Sequence, residues 1–201
     1  PLQHLRLPPG GAQSLRRGRG APSSCPGTAG EELLFTMSII CATDFSPIAR
    51  HAEDAAAALA GRLGQELWLM HVQEPEVELM SPASQTQVQA MLQDRLSTIA
   101  ARLQPMAGKG VKVAVKQGRA ATVVRDFARS HDGQLIVIGS AGHGASALVK
   151  LGGTSERLAS GSDLPVLVVR EGESFREWAE GRPFRALLAL EEGEASASAR
   201  R

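Results

Sequence analysis

Glycine crowds the stretch IGSAGHGASALVKLGGTS, residues 138–155, at Gly139, Gly142, Gly144, Gly152 and Gly153, directly after the apolar run QLIVI. Glycine lets a backbone approach a ligand closely and take positive φ. Such a loop can bring amides to a phosphate, or it can simply turn the chain. Two residues separate Gly139 from Gly142, and nine separate Gly142 from Gly152. The loop runs into TSERLAS, a short helix whose free N–H groups and positive dipole end could hold an anion. His143 and Lys150 could add positive charge. Neither G-x-G-x-x-G nor G-x-x-x-x-G-K-[ST] stands in register, so the loop is neither a dinucleotide fingerprint nor a P-loop. A second candidate is ATDFSP, residues 42–47, with Asp44 at its centre. The chain shows no Ser/His/Asp arrangement, no paired carboxylates at a cleft and no metal cluster. Cys25 and Cys41 have no metal-ligand spacing, and Cys41 inside an apolar run reads as a small core residue.

Alternating strands and helices must position these loops. SIICAT is a short apolar strand. Ser46 is a good N-cap and Pro47 suits the first helical position. Ile48, Ala52, Ala55, Leu59 and Leu63 then mark one helical face, and Gly64 supplies a stop. ELWLMHV is the second strand. Val88, Met91, Leu92, Leu96, Ile99 and Leu103 mark a second helix ending near Gly108. VKVAVK is the third strand, and Ala120, Val124, Phe127 and Ala128 mark a third helix. QLIVIG and PVLVV, on either side of TSERLAS, are the fourth and fifth strands. Regular alternation predicts an α/β protein with a parallel sheet and helices on both faces.

The strands differ in a way that orders them. In VKVAVK, Val111, Val113 and Val115 point one way and Lys112 and Lys116 the other, as a solvated edge face does. SIICA and LIVI are apolar on both faces and belong at the centre, with Met70 and Trp68 in the core. This predicts a flavodoxin-like three-layer α/β/α fold with five parallel strands in order 3-2-1-4-5. The chain then reverses direction between the first and fourth strands, where ligands bind. ATDFSP and the glycine loop meet there. PVLVV falls at the other edge, and so apolar an edge calls for a cover. A second subunit or repeat, pairing through Val166, Leu167, Val168 and Val169, is the simplest one.

The opening IICATDFSPIARHA, the strand LIVIGS, and the tract G-x2-G-x9-G followed by SERL and LPVLVV resemble the universal stress protein family over residues 38–170. The resemblance implies a flavodoxin-like fold of the adenine nucleotide alpha hydrolase type, dimerisation through the last strand and, in one subgroup, ATP binding. There the adenine lies near the acid after the first strand and the end of the second, with the phosphates in the glycine loop. Carried onto this chain, the nucleotide-binding residues are Thr43, Asp44, Val72, Gly139, Ser140, Gly142, His143, Gly152, Gly153 and Thr154, with His71 beside Val72. Mg²⁺ would arrive with the nucleotide, and hydrolysis would be slow at most. The subgroup has Ser or Thr after the last motif glycine, whereas this chain has Gly153, with Thr154 one place late. A lost phosphate donor is worth about 1 kcal/mol, or about fivefold in affinity. Part of the family binds no nucleotide and serves as a dimerisation or partner-interaction module, and Gly153 moves the chain toward that alternative. An adenylating enzyme or pyrophosphatase on a related fold would carry a Ser-Gly-Gly-rich loop after the first strand, which ATDFSP lacks.

The totals narrow the partners. The chain has 201 residues, 43% of them hydrophobic, and a net charge of +1. That is enough for one sizeable core, without a global field toward nucleic acid or membrane. Aromatics are 3% with no Tyr, which disfavours stacking on single-stranded nucleic acid. No apolar stretch reaches the ~18 residues of a membrane helix, and a cytoplasmic location is expected. Residues 1–36, rich in Pro, Gly and Arg, read as a disordered extension, with Met37 as the natural start of the protein. Residues 37–170 form the domain. Residues 171–201 read as a linker followed by the first strand of a truncated second repeat, because ALLALEEGEASA echoes IICATDFSPIAR, with Glu191 in the place of Asp44.

Overall fold

The computed structural model describes residues 3–6, 37–73, 81–141 and 151–188. The strands are β1 (Gln3–Arg6), β2 (Ser38–Ala42), β3 (Glu66–Gln73), β4 (Val111–Gln117), β5 (Gly133–Gly139), β6 (Val166–Val169) and β7 (Arg185–Leu188). The helices are α1 (Pro47–Leu63), α2 (Pro82–Ala107), α3 (Ala120–Ser130), α4 (Gly153–Gly161) and α5 (Glu173–Ala179). Five strands form one parallel sheet in the order β4-β3-β2-β5-β6. Counted from Ser38, that is the expected order 3-2-1-4-5. α1, α2 and α5 pack on one face, while α3 and α4 pack on the other. The fold is therefore the predicted three-layer α/β/α arrangement.

Each face has its own core. Ile39, Cys41, Leu67, Leu69 and Val137 point toward α1 and α2. Ile40, Met70, Ile136 and Ile138 point toward α3 and α4. This is the period-two alternation of a central strand covered on both sides.

Local signals start and stop α1 as expected. The Ser46 hydroxyl accepts the Ala49 N–H at 3.1 Å, Pro47 opens the helix, and Gly64 ends it in the left-handed region at φ 64°. The buried arc is wider than the predicted stripe. Ala52 and Ala55–Ala58 are all inaccessible, whereas Leu63 is 55% exposed. The sheet, α2 and α5 enclose α1 from three sides, so small side chains are needed nearly all round. α2 crosses it so closely that a Cβ on Gly61 would lie 2.0 Å from the Met106 carbonyl oxygen.

Two expectations, for Met91 and Trp68, need correction. Met91, assigned to the apolar face of α2, is 61% exposed, and Leu92, Leu96, Ala100, Leu103 and Ala107 carry the burial. The lysines of edge strand β4 are exposed, as expected, and also make contacts along the sheet face. Lys112 pairs with Glu66 at 2.9 Å and sits over the Trp68 ring, and Lys116 sits over Phe127. Trp68, expected in the core, is half-buried beneath Lys112, edge-on to Phe127 and His131.

The terminal pieces also contribute elements. Within the segment read as disordered, Gln3–Arg6 pairs antiparallel with Arg185–Leu188 outside the main sheet. Residues 186–188, the start of the proposed repeat, fall in β7, whereas Glu191 and the remainder of it lie outside the described residues. α5 packs along α1 and brings Phe175 into the same apolar cluster as Leu167 of β6. One cover near the apolar edge strand thus comes from the chain itself.

Candidate functional site

Where the sheet reverses between β2 and β5, a cavity of about 610 Å³ opens at the carboxyl ends of the strands. Thr43, Asp44, His71, Val72 and Gln73 line the β2–β3 side. Gly139, Ala141, Gly152, Gly153, Thr154 and Ser155 line the β5–α4 side, with Ala120 and Val124 of α3 between. Seven of the predicted residues (Thr43, Asp44, Val72, Gly139, Gly152, Gly153 and Thr154) therefore surround one space. Ser140 is buried next to it and holds the loop rather than facing the cavity. Its N–H donates to the Val169 carbonyl at 2.8 Å, and its carbonyl accepts the Gly152 N–H at 2.8 Å. Gly142, His143 and Lys150 lie outside the described residues.

The β2–α1 turn is held at every polar atom of Thr43. Its N–H donates to the Met70 carbonyl at 2.9 Å. Its hydroxyl donates to Glu53 Oε1 at 2.7 Å and accepts the Phe45 N–H at 3.0 Å. Its carbonyl accepts from His71 Nδ1 at 2.8 Å. A carbonyl can only accept, so that ring nitrogen carries the proton. Asp44 Oδ1 accepts the Ser46 N–H at 3.0 Å, tightening the turn into α1. Phe45 takes φ 64°, a left-handed conformation that costs a bulky residue about 1–3 kcal/mol and persists only where its surroundings impose it. The His71 ring lies 4.5 Å from the Phe45 ring, and the Arg95 guanidinium of α2 sits 4.2 Å from its centroid.

On the opposite side, Gly152 caps α4 with extended backbone and no side-chain bond. Among the described residues no side chain caps the first-turn amides of α4, as an anion site at a helix start requires. A Cβ on Gly153 would meet nothing closer than the Arg157 guanidinium at 3.8 Å. That places a cation beside the helix start. Ser155, 3% exposed, donates its hydroxyl to the Gly139 carbonyl at 2.7 Å and ties α4 to the end of β5. Gly139 has a packing role as well, since a Cβ there would come within 3.3 Å of the Ala49 backbone at the start of α1.

Beneath Thr43 lies a buried charge cluster. Glu53, 3% exposed, and Asp54 are both buried on α1. Arg102 of α2 donates to Glu53 Oε2 at 2.7 Å and to Asp54 Oδ1. Burial opposes the Arg102 charge, but the bond to Asp54 and the two carboxylate charges outweigh it and raise its pKa. Burial, then the charges of Glu53 and Asp54, push the Cys41 thiol well above its usual range. Cys41 is thus a core residue and not a nucleophile. Among the described residues no group of three or more His, Cys, Asp or Glu could hold a metal ion.

The sequence reading missed Ser155, Arg157 and the Glu53–Arg102 pair. Ser155 had a signal, a second hydroxyl just after the paired glycines. Glu53 and Asp54 also had one, two adjacent acids in a run of alanines.

The model of the Universal stress protein family matches residues 36–170. The chain belongs to the universal stress protein family. As a universal stress protein it shares its fold with solved relatives. Universal stress protein UspA from Lactobacillus plantarum is 21% identical with a TM-score of 0.59, covering 67% of this chain and 98% of that one. A universal stress protein from Archaeoglobus fulgidus in complex with dAMP is 18% identical with a TM-score of 0.53, covering 68% and 99%. A universal stress protein in complex with cAMP is 19% identical with a TM-score of 0.51, covering 67% and 97%. A search of curated proteins found no match.

Proposed function

We propose that this universal stress protein binds an adenine nucleotide, ATP with its Mg²⁺, at the switch-point cavity. One observation carries the reading. A single cavity of about 610 Å³, within the ~300–1,000 Å³ range of ligand pockets, joins the Asp44 turn to the glycine-flanked start of α4. The base would lie on the β2–β3 side, among Thr43, Asp44, His71 and Val72. The phosphates would meet the amides of Gly152, Gly153 and Thr154, with Arg157 nearby. The donor set suits an anion and offers no cage for a metal, so Mg²⁺ would ride on the phosphates. Relatives bound to cAMP and dAMP support an adenine ligand. The protein would act in the cytoplasm as a dimer through β6, which lies at the edge of the five-stranded sheet among the described residues.

The test is the purified protein itself. Heat denaturation and chromatography of the supernatant should release ATP or ADP at near one per chain. Light scattering on the same sample should read twice the chain mass. No nucleotide, together with no rise in melting temperature in millimolar ATP and Mg²⁺, would favour the second reading, a partner-interaction module without nucleotide. Gly153, which brings no hydroxyl to the phosphate side, is the observation on that side.

A further inference from the structure

We infer that Glu53, held by Arg102, is a positioning residue of this site and acts through Thr43. The inference rests on the nucleotide reading and adds a part to it. Glu53 is 3% exposed and lies, with the buried Asp54 beside it, in a stretch of α1 that is otherwise alanine from Ala52 to Ala58. Burying an acid is costly unless it is paired and hydrogen-bonded, and apolar packing at such a place is often no less stable. Stability alone therefore gives little reason for a carboxylate here. Its two oxygens do different things. Oε2 takes the Arg102 guanidinium at 2.7 Å, and Oε1 takes the Thr43 hydroxyl at 2.7 Å. The first bond fixes the carboxylate to α2. The second fixes the hydroxyl rotor of a cavity residue, so that its lone pair meets the Phe45 N–H at 3.0 Å. Phe45 stands in the left-handed conformation immediately after Asp44. The chain Arg102–Glu53–Thr43–Phe45 thus imposes the turn that presents the β2 side of the cavity. Among the described residues its side-chain hydrogen bonds stay within the β2–α1 turn, α1 and α2 and do not reach α4, so the base end is the part that depends on it.

The experiment displaces a fluorescent ATP analogue from the full chain with adenosine and, separately, with inorganic tripolyphosphate. Glu53→Leu should weaken adenosine about tenfold and leave tripolyphosphate within about twofold, the scale of losing one hydrogen bond and its geometry. Glu53→Gln keeps an acceptor for Thr43 and should restore adenosine binding to within about threefold of wild type. Where Glu53→Leu fails to fold, Thr43→Val and Thr43→Ser serve, with the same split for valine and retention for serine. Equal losses for both probes, or unchanged adenosine binding in a folded Glu53→Leu or Thr43→Val protein, overturn the inference alone. A wild-type chain that binds neither probe overturns both the inference and the nucleotide reading.

Discussion

At the scale of single residues, Gly153 is where the chain departs from the ATP-binding pattern. Its backbone is not in the left-handed region, and a Cβ there would find only the tip of Arg157 at 3.8 Å. A serine fits without strain. Gly153→Ser should therefore tighten ATP about fivefold by restoring one phosphate donor, read by calorimetric titration. Unchanged affinity would mean that Thr154 already supplies the hydroxyl or that phosphate does not bind here. The glycines and Asp44 were legible because their types and spacing announce a loop. Glu53 was not, because an acid on a helix ordinarily reads as solvent-facing. Only the packing of α2 brings Arg102 to it from 49 residues away. Ser155 was hidden for a related reason, since its partner is the carbonyl of Gly139, 16 residues earlier.

At the scale of elements, α1 is the common wall. It starts at the site, carries the buried acids and meets α2 at Gly61. Gly61→Ala would drive a methyl group into the Met106 carbonyl, 2.0 Å from the ideal position. That carbonyl is main chain and cannot swing aside. The substitution should cost about 2–3 kcal/mol and lower the melting midpoint by several degrees, followed by circular dichroism. An unchanged midpoint would mean that the two helices slide apart freely. Strand order was readable from sequence because the lysines of β4 and the two-sided apolar runs of β2 and β5 differ in pattern. The breadth of α1 burial was not readable, because an alanine-rich helix gives much the same pattern whether one face or three are covered.

At the scale of the molecule, the sheet and four of its helices come from residues that the family model matches, whereas α5 comes after them. Phe175 packs against the core cluster that contains Val169, as Leu167 does. Gly172 approaches α1 so closely that a Cβ would lie 2.8 Å from the His51 carbonyl oxygen. Ending the chain at residue 170 should leave the sheet intact and lower stability by about 2–4 kcal/mol, the scale of deleting one large aromatic from a partly buried site, measured by urea unfolding. Equal midpoints for the two lengths would show that α5 is only tethered. Phe184 continues the contact, with its ring 5.0 Å from Phe175 and 5.9 Å from Trp178. The boundary recognised by similarity and the boundary set by packing are therefore different. Grafting or shuffling this domain by the former would sever a helix from the surface it was shaped to meet.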